Sequence, residues 1–338
     1  LSNLPKIALE EHFIAPTDVR DGSTEMDPLR QASSIGVDGR FFAAVLDQLV
    51  DVGWERIARM GHAGIDVAIL SLTSPGVQAL RDPAEAVSIA GAVNDFLADV
   101  VAKFPDRFAG FATLPLQDPE AAAAELERCV NRLGFKGAMI NGYTNRADDG
   151  ASYLDEPQYL EFWDSVNDLG VPIYLHPRAP LADQQRIYQD HPQLVGAVWG
   201  FGVETATHAL RLVFSGLFDR LPRLTVILGH LGEMLPYFSW RIQNCFEHNP
   251  FGGKLDRTIT EYLSGNFYLT TSGAFHDQAL LCAALTVGVD RLLFATDYPY
   301  ESMEQAARWL EQASISENDR RKIAHGNARQ LLGIKTSR

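Results

Sequence analysis

KIALEEHF, residues 6–13, is the first apolar run of the chain, and it ends in three ionisable residues, Glu10, Glu11 and His12. Side chains alternate along a strand, so Glu10 and His12 point together while Glu11 points away. Seven further runs follow: VAILSL (67–72), FAGFATLPL (108–116), KGAMINGY (136–143), VPIYLHP (171–177), LTVILGH (224–230), NFYLTTSG (266–273) and RLLFATDYP (291–299). Most are short, rich in β-branched or aromatic residues, and apolar on both faces, as strands of a covered parallel sheet are. Helical patterns lie between them. RDPAEAVSIAGAVNDFLADVVAKF (81–104) and QDPEAAAAELERCVNRLG (117–134) each start with Asp-Pro, an N-cap followed by proline at the first helical position, and Gly134 ends the second. Eight strands alternating with helices predict an α/β fold, a (β/α)8 barrel forming a single domain over 1–338. Two Pro-, Gly- and polar-rich segments, 14–40 and 178–203, read as loop insertions after strands one and five, where barrels build active sites.

Strand five ends in His176-Pro177, strand six in Gly229-His230 and strand eight in Asp297. In a barrel these ends converge on one rim with Glu10 and His12. A polar residue at a strand end is on its own an ordinary cap or surface group; the joint occurrence at equivalent ends is what points to a metal. Glu10, His12, His176 and Asp297 form a mixed nitrogen and oxygen set that suits one divalent ion per chain, Zn2+ or Mn2+. His62, His191, His208, His248, His276 and His325 fall in helical or loop patterns and read as surface or packing residues. No nucleophile elbow, P-loop or dinucleotide fingerprint is present, and Gly252-Gly253 lacks the preceding strand such a motif needs, so no organic cofactor is expected.

The 338 residues carry 43 acidic and 29 basic side chains, a formal net charge of −14 that disfavours nucleic acid and anionic membranes as partners. Cys129, Cys245 and Cys282 are sparse and unpaired in spacing, and read as small buried apolar residues in a reducing compartment. No apolar run approaches the ~20 residues of a membrane span, and LSNLPKIALEEHF lacks the basic-then-apolar order of a signal peptide. The expected location is the cytoplasm. Helix 233–246 (EMLPYFSWRIQNCF) carries more apolar surface than one barrel-facing stripe needs, which predicts a homodimer or homotetramer.

The run KIALEEHF, the segment LPLQDPEAAAAELERCVNRLGFKGAMINGY, the stretch PIYLHPRAPL, the long block ETATHALRLVFSGLFDRLPRLTVILGHLGEMLPYFSWRI, and LTTSGAF with RLLFATDYPYES resemble the amidohydrolase-superfamily decarboxylases of hydroxybenzoic acids. The likeness is greatest to members acting on 2,6-dihydroxybenzoate (γ-resorcylate), and it runs from residue 6 to about 333. It implies non-oxidative decarboxylation of a small aromatic carboxylic acid, an ortho-hydroxybenzoate, to the phenol and CO2. By motif, Glu10 and His12 match the E-x-H ligands, His176 the Y-L-H-P ligand, and Asp297 a ligand that also donates the proton. His230 and Glu233 of G-H-L-G-E match a pair beside that Asp, while Arg241 of W-R-I and Asn141 match substrate contacts. The loop at 14–40 departs from the pattern by its length. Hydrolysis of a lactone or amide is the rival chemistry. E-x-H at strand one, with Asn141-Gly142 rather than a lysine closing strand four, disfavours it. A non-catalytic scaffold gives no reason for His230 and Glu233 behind the ligands.

Overall fold

Residues 4–16, 19 and 38–334 are described by a computed structural model of the chain, so most of the expected loop at 14–40 lies outside the described residues. The eight predicted strands all form: β1 (Ile7–Phe13), β2 (Val67–Leu72), β3 (Phe108–Gly110), β4 (Ala138–Asn141), β5 (Ile173–His176), β6 (Val226–Leu228), β7 (Phe267–Thr270) and β8 (Leu292–Leu293). All neighbours run parallel, β1-β2-β3 in one ladder and β4 through β8 in sequence order in the other. Two seams join the ladders. Ala112 bridges Ala138 in parallel, with Met139 N donating to Ala112 O at 3.1 Å. Glu11 bridges Tyr298, with His12 N donating to Tyr298 O at 2.8 Å and Asp297 N to Glu10 O at 3.0 Å. The ring is thereby closed, and the chain is a (β/α)8 barrel.

The side chains sort into two apolar layers. Ile7, Leu9, Val67, Ile69, Phe111, Met139, Tyr174, Ile227 and Leu293 fill the barrel interior, and Leu332 and Ile334 join them. Ala8, Ala68, Leu70, Ile140, Leu175 and Leu228 belong to the other layer, with helix residues such as Ile89, Leu126 and Phe162. β8 is shorter than RLLFATDYP suggests because side chains replace its ladder partners. Ala295 N donates to Thr271 Oγ1 at 3.1 Å and Thr296 N to Glu11 Oε1 at 3.1 Å.

The Asp-Pro starts hold: Asp82 accepts from Ala84 N at 2.7 Å to cap helix Pro83–Lys103, and Asp118 accepts from Ala121 N at 3.1 Å to cap Pro119–Asn131. Gly134 sits past the end of the second helix at φ +74°, and Phe135 N reaches back to Cys129 O at 3.0 Å, a helix-closing bond that needs a left-handed residue before it. The segment 178–203 is irregular but not bare loop. It holds 3-10 turns at Gln184–Tyr188 and Pro192–Leu194, and helix Gly200–Phe214 begins inside it. A short antiparallel hairpin, Thr144–Asn145 with Ala151–Ser152, follows β4; its polar sequence gives no strand signal. The cysteine reading needs correcting: Cys129 is buried, but Cys245 is exposed and Cys282 half-buried, because each lies on a helix face turned from the core. No helix among the described residues is long and apolar enough to cross a membrane.

His208, on helix Gly200–Phe214, is a packing histidine. It is fully buried, its Nε2 accepts from Leu154 N at 3.0 Å, and its ring meets Tyr153 edge-on. Burial, helped by the Arg211 charge, pushes its pKa down to about 3, so the folded state holds it neutral. An unfolded histidine titrates near ~6.5. Stability from this group is therefore present above that value and lost as pH falls, by about 2 kcal/mol between pH 7 and pH 5. His208→Gln, which keeps an acceptor for Leu154 N, is expected to show a smaller drop in Tm over that interval than the wild type. Equal drops would contradict the assignment.

Candidate metal centre

The site begins with an irregularity in β1. Ala8 pairs with Ala68 but Glu11 with Leu70, so β1 fits one residue more than β2 into the same length, a β-bulge. Before it, Ile7 and Leu9 face the interior. After it, Glu10 and His12 take that face, and Glu11 turns outward, where Thr296 N and Thr296 Oγ1 donate to Glu11 Oε1 at 3.1 and 2.8 Å. Uninterrupted alternation from Ile7 would have put Glu11 inside. Burial lifts the Glu11 carboxyl to about 8, against the Thr296 hydrogen bonds and the charge of Arg56. Arg56 is fully buried itself, donating from Nη2 to His12 O at 2.7 Å and Gln48 O at 2.8 Å, with its guanidinium over the Tyr298 ring. Nothing in WERIARMGHA separates Arg56 from Arg59, so the sequence reading missed this support for the β1 end.

Glu10, His12, His176 and Asp297 converge, one ligand atom from each lying within 4.8 Å of all the others. Glu10 Oε1 is 3.2 Å from His176 Nε2 and 3.9 Å from His12 Nε2, which is 3.3 Å from Asp297 Oδ1. Four donors at bond lengths of ~2.1 Å around one ion would be about 3.4 Å apart, so these edges fit a first-row divalent ion. Glu10 Oε1 and His12 Nε2 are buried without a hydrogen-bond partner among the described residues, as atoms reserved for an ion would be. Burial raises the Glu10 pKa, but His230, His12 and His176 outweigh it and hold the carboxyl well below its usual range. Burial likewise opposes the charged form of Asp297, which His12 and His230 keep ionised. Burial lowers His12, but the neighbouring Asp297 and Glu10 carboxylates win and raise it to about 9. The set is thus a dense, carboxylate-bearing cage that a cation would complete.

Tyr174 fixes which oxygen of Glu10 is offered. Its hydroxyl, fully buried in the barrel, donates to Glu10 Oε2 and pairs with Thr270 Oγ1 at 2.8 Å. Gly229 makes room for this pair, since a Cβ there would lie 3.0 Å from Glu10 Oε2 and 3.3 Å from Tyr174 Oη. With Oε2 engaged, Oε1 is left for the cluster. Tyr174 sits two residues before His176 on the same strand face, a signal in YLH that the sequence reading did not use.

His230 lies beyond β6 in a run of left-handed backbone: His230 (φ 50°), Leu231 (54°), Gly232 (89°), Glu233 (50°) and Met234 (68°). Non-glycine residues rarely hold this conformation, so the turn stores backbone strain. His230 Nδ1 is 2.7 Å from Glu233 Oε1, and its Nε2 is 3.7 Å from Asp297 Oδ2. Burial lowers the His230 pKa, but Glu233 and Glu10 raise it well above the usual value. Asp297, also left-handed at φ 67°, follows β8 by four residues and turns Oδ1 to His12 and Oδ2 to His230.

The two expected substrate contacts fall in different places. Asn141 is buried at the end of β4, in register beside His176, with its Oδ1 unpartnered among the described residues. Arg241 is exposed on helix Leu235–His248 near Tyr237 and Trp240, outside the cluster within this chain. Tyr300, missed by the sequence reading, packs edge-on near His12 with ring centroids 5.7 Å apart, its hydroxyl 2.7 Å from Thr73 Oγ1.

This chain is 47% identical over 332 residues to the γ-resorcylate decarboxylase of Rhizobium sp. (strain MTP-10005), covering 97% of this chain and 98% of that protein. Its fold matches a crystal structure of 2,6-dihydroxybenzoate decarboxylase complexed with 2,6-dihydroxybenzoate at a TM-score of 0.90 and 46% identity, covering 98% and 99% of the two chains. It also matches a dihydroxybenzoic acid decarboxylase from Polaromonas sp. JS666, with bound manganese and the inhibitor 2-nitroresorcinol, at a TM-score of 0.89 and 48% identity over 97% of each chain. The profile of the amidohydrolase family spans residues 37–334, and with it the chain belongs to that family.

Proposed function

We propose that this chain is a metal-dependent decarboxylase of an ortho-hydroxybenzoic acid, with 2,6-dihydroxybenzoate the first candidate, giving the phenol and CO2 in a step reversible in principle. The observation that carries the reading is Asp297, whose Oδ1 faces the ligand cluster while Oδ2 faces the His230–Glu233 pair. The relatives named for this reaction, one with bound manganese, support it. Glu10, His12, His176 and Asp297 would hold one Zn2+ or Mn2+ per chain. Bound there, the ion supplies a Lewis acid for the substrate carboxylate and the adjacent hydroxyl.

Direct loss of CO2 would leave an aryl carbanion, so the ring carbon has to be protonated first. Asp297 Oδ2 is the oxygen free to carry that proton, and His230, held by Glu233, passes it and restores it. With the new C–H bond formed, the electrons of the C–C bond return to the ring and CO2 departs. Asn141 at the rim and Arg241 are proposed contacts to the substrate. We further propose one barrel domain, a cytoplasmic location, and a homodimer or homotetramer assembled through the helix that exposes Tyr237 (79%), Phe238 (42%) and Trp240 (73%).

Four outcomes follow. Purified protein is expected to carry about one divalent ion per chain and to lose activity with chelator; metal-free protein with full activity would refute the site. Tyr174→Phe should weaken metal affinity in a chelator competition by roughly 10–100-fold, as loss of a ligand-orienting hydrogen bond does; unchanged affinity would make Tyr174 mere filling. Turnover in heavy water should place one deuterium at the carbon that lost its carboxylate, and Asp297→Asn with metal bound should fall by at least ~10^2-fold. Full activity in that variant, or cleavage only of lactones or amides, would replace the mechanism. Light scattering that reports a monomer at micromolar concentration would overturn the assembly.

A further inference from the structure

A cavity of about 660 Å3 lies between the segments that follow β2, β4 and β5, lined by Ala79, Tyr143, Asn145, Arg178, Pro180 and Leu181 among others, and by none of the four metal ligands. Arg178 is its distinctive residue. The side chain is buried, 7% exposed, and passes Gly142, where a Cβ would stand 2.7 Å from Arg178 Cβ. Its guanidinium stacks on the Tyr143 ring at 4.0 Å. Nη1 donates to Tyr143 O at 2.6 Å and Gln78 O at 3.2 Å, and Nη2 to Asn145 Oδ1 at 2.9 Å. All these acceptors are neutral. Among the described residues no carboxylate lies within ion-pair distance of Arg178, and Glu204, which acts on it only at longer range, already accepts from Tyr153 Oη at 2.7 Å. Arg81, also in the wall, is paired with Asp149.

A buried cation without a counter-ion is costly, and an arginine leaves few ways to relieve it because it does not deprotonate. Of its five N–H groups the three bonds above use three, leaving the Nε–H and one Nη2–H. Nε and Nη2 form the side edge of the guanidinium, which takes a carboxylate through two parallel hydrogen bonds. We propose that this cavity is a second binding site, distinct from the metal centre, for a small monocarboxylate with an apolar body. One free cation, with Asp183 also in the wall, suits a monoanion rather than a phosphate dianion, and Ala79, Ala179, Pro180 and Leu181 offer the apolar surface for the rest of the molecule. The site is tied to the metal centre through β5: Ser74 Oγ donates to Pro177 O at 3.0 Å, between His176 and Arg178.

The probe is 4-iodobenzoate, which has the carboxylate and an apolar ring but no ortho hydroxyl for chelation. In crystals of the metal-loaded protein the iodine should appear in this cavity with the carboxylate on Arg178 Nε and Nη2, and calorimetry should detect the same binding in solution. Asn145→Asp would place a carboxylate against the guanidinium. It should keep the fold and weaken this binding at least tenfold, as Arg178→Gln should if it folds. Iodine only at the metal cluster, binding at crystal concentration only, or equal affinity in Asn145→Asp would each overturn the proposal. None of these outcomes bears on decarboxylation, which is assayed separately.

Discussion

A carboxylate buried inside an apolar barrel is the constraint around which this molecule is arranged. Glu10 is fully enclosed, with Leu9, Ile69, Tyr174 and Ile227 among the interior side chains of the barrel. An isolated ionised carboxylate in such surroundings is untenable; it must be paired, bonded, or neutralised. The structure meets this demand from three strands at once. Tyr174 of β5 takes one oxygen and is itself held by Thr270 of β7, while His12 and His176 flank the other. The bulge in β1 and the absence of a side chain at Gly229 are consequences of fitting that arrangement into a ring whose interior is otherwise packed solid. Breaking a buried pair by removing one partner typically costs ~3–5 kcal/mol, which couples the integrity of the barrel mouth to the presence of each ligand. A cation held there would bind only the folded ring and so would stabilise that ring by mass action.

The second demand is geometric. His230, Leu231, Glu233, Met234 and Asp297 hold left-handed backbone that such residues avoid, at roughly 1–3 kcal/mol each. That strain persists because the neighbourhood over-determines it. Asp297 N is fixed by Glu10 O at 3.0 Å, and Asp297 O accepts from Tyr300 N at 2.9 Å. The sharp turns bring His230 and Asp297 back over the rim, where regular strand continuation would carry them past it. In the proposed mechanism such rigidity would serve proton transfer, which tolerates little displacement between donor and acceptor.

This division explains what the sequence made legible. Strand positions, the Asp-Pro helix starts and the clustering of Glu10, His12, His176 and Asp297 were readable because each follows from a local rule: periodicity, capping chemistry, or residue type at a strand end. The bulge was not, since I-A-L-E-E-H-F alternates acceptably in either register and only the fit between β1 and β2 decides. Arg56 and Tyr174 were hidden for a related reason. Each looks like an ordinary member of an amphipathic helix or an apolar strand, and becomes special only through partners distant in sequence, His12 O for one and Glu10 for the other. Arg241 was singled out by motif likeness alone, and its helix places it on an aromatic-rich outer face of this chain.

The end of strand β5 shows how one residue changes the direction of the chain. Tyr174 and His176 on the strand and Arg178 just beyond it are every second residue, yet they face three environments: the barrel interior, the four-residue cluster, and the cavity beside it. Strict alternation would carry Arg178 over the cluster, where a fixed cation would sit against Glu10 and Asp297. Pro177 prevents this. It has no N–H to extend the ladder with β4 or β6, and its carbonyl is claimed by Ser74 Oγ, so the chain leaves the sheet immediately after His176. The guanidinium is then free to lie on Tyr143 and against Asn145, away from the metal ligands. A single proline thus keeps the Arg178 guanidinium apart from the cluster, where Glu10 and Asp297 are left to the histidines around them.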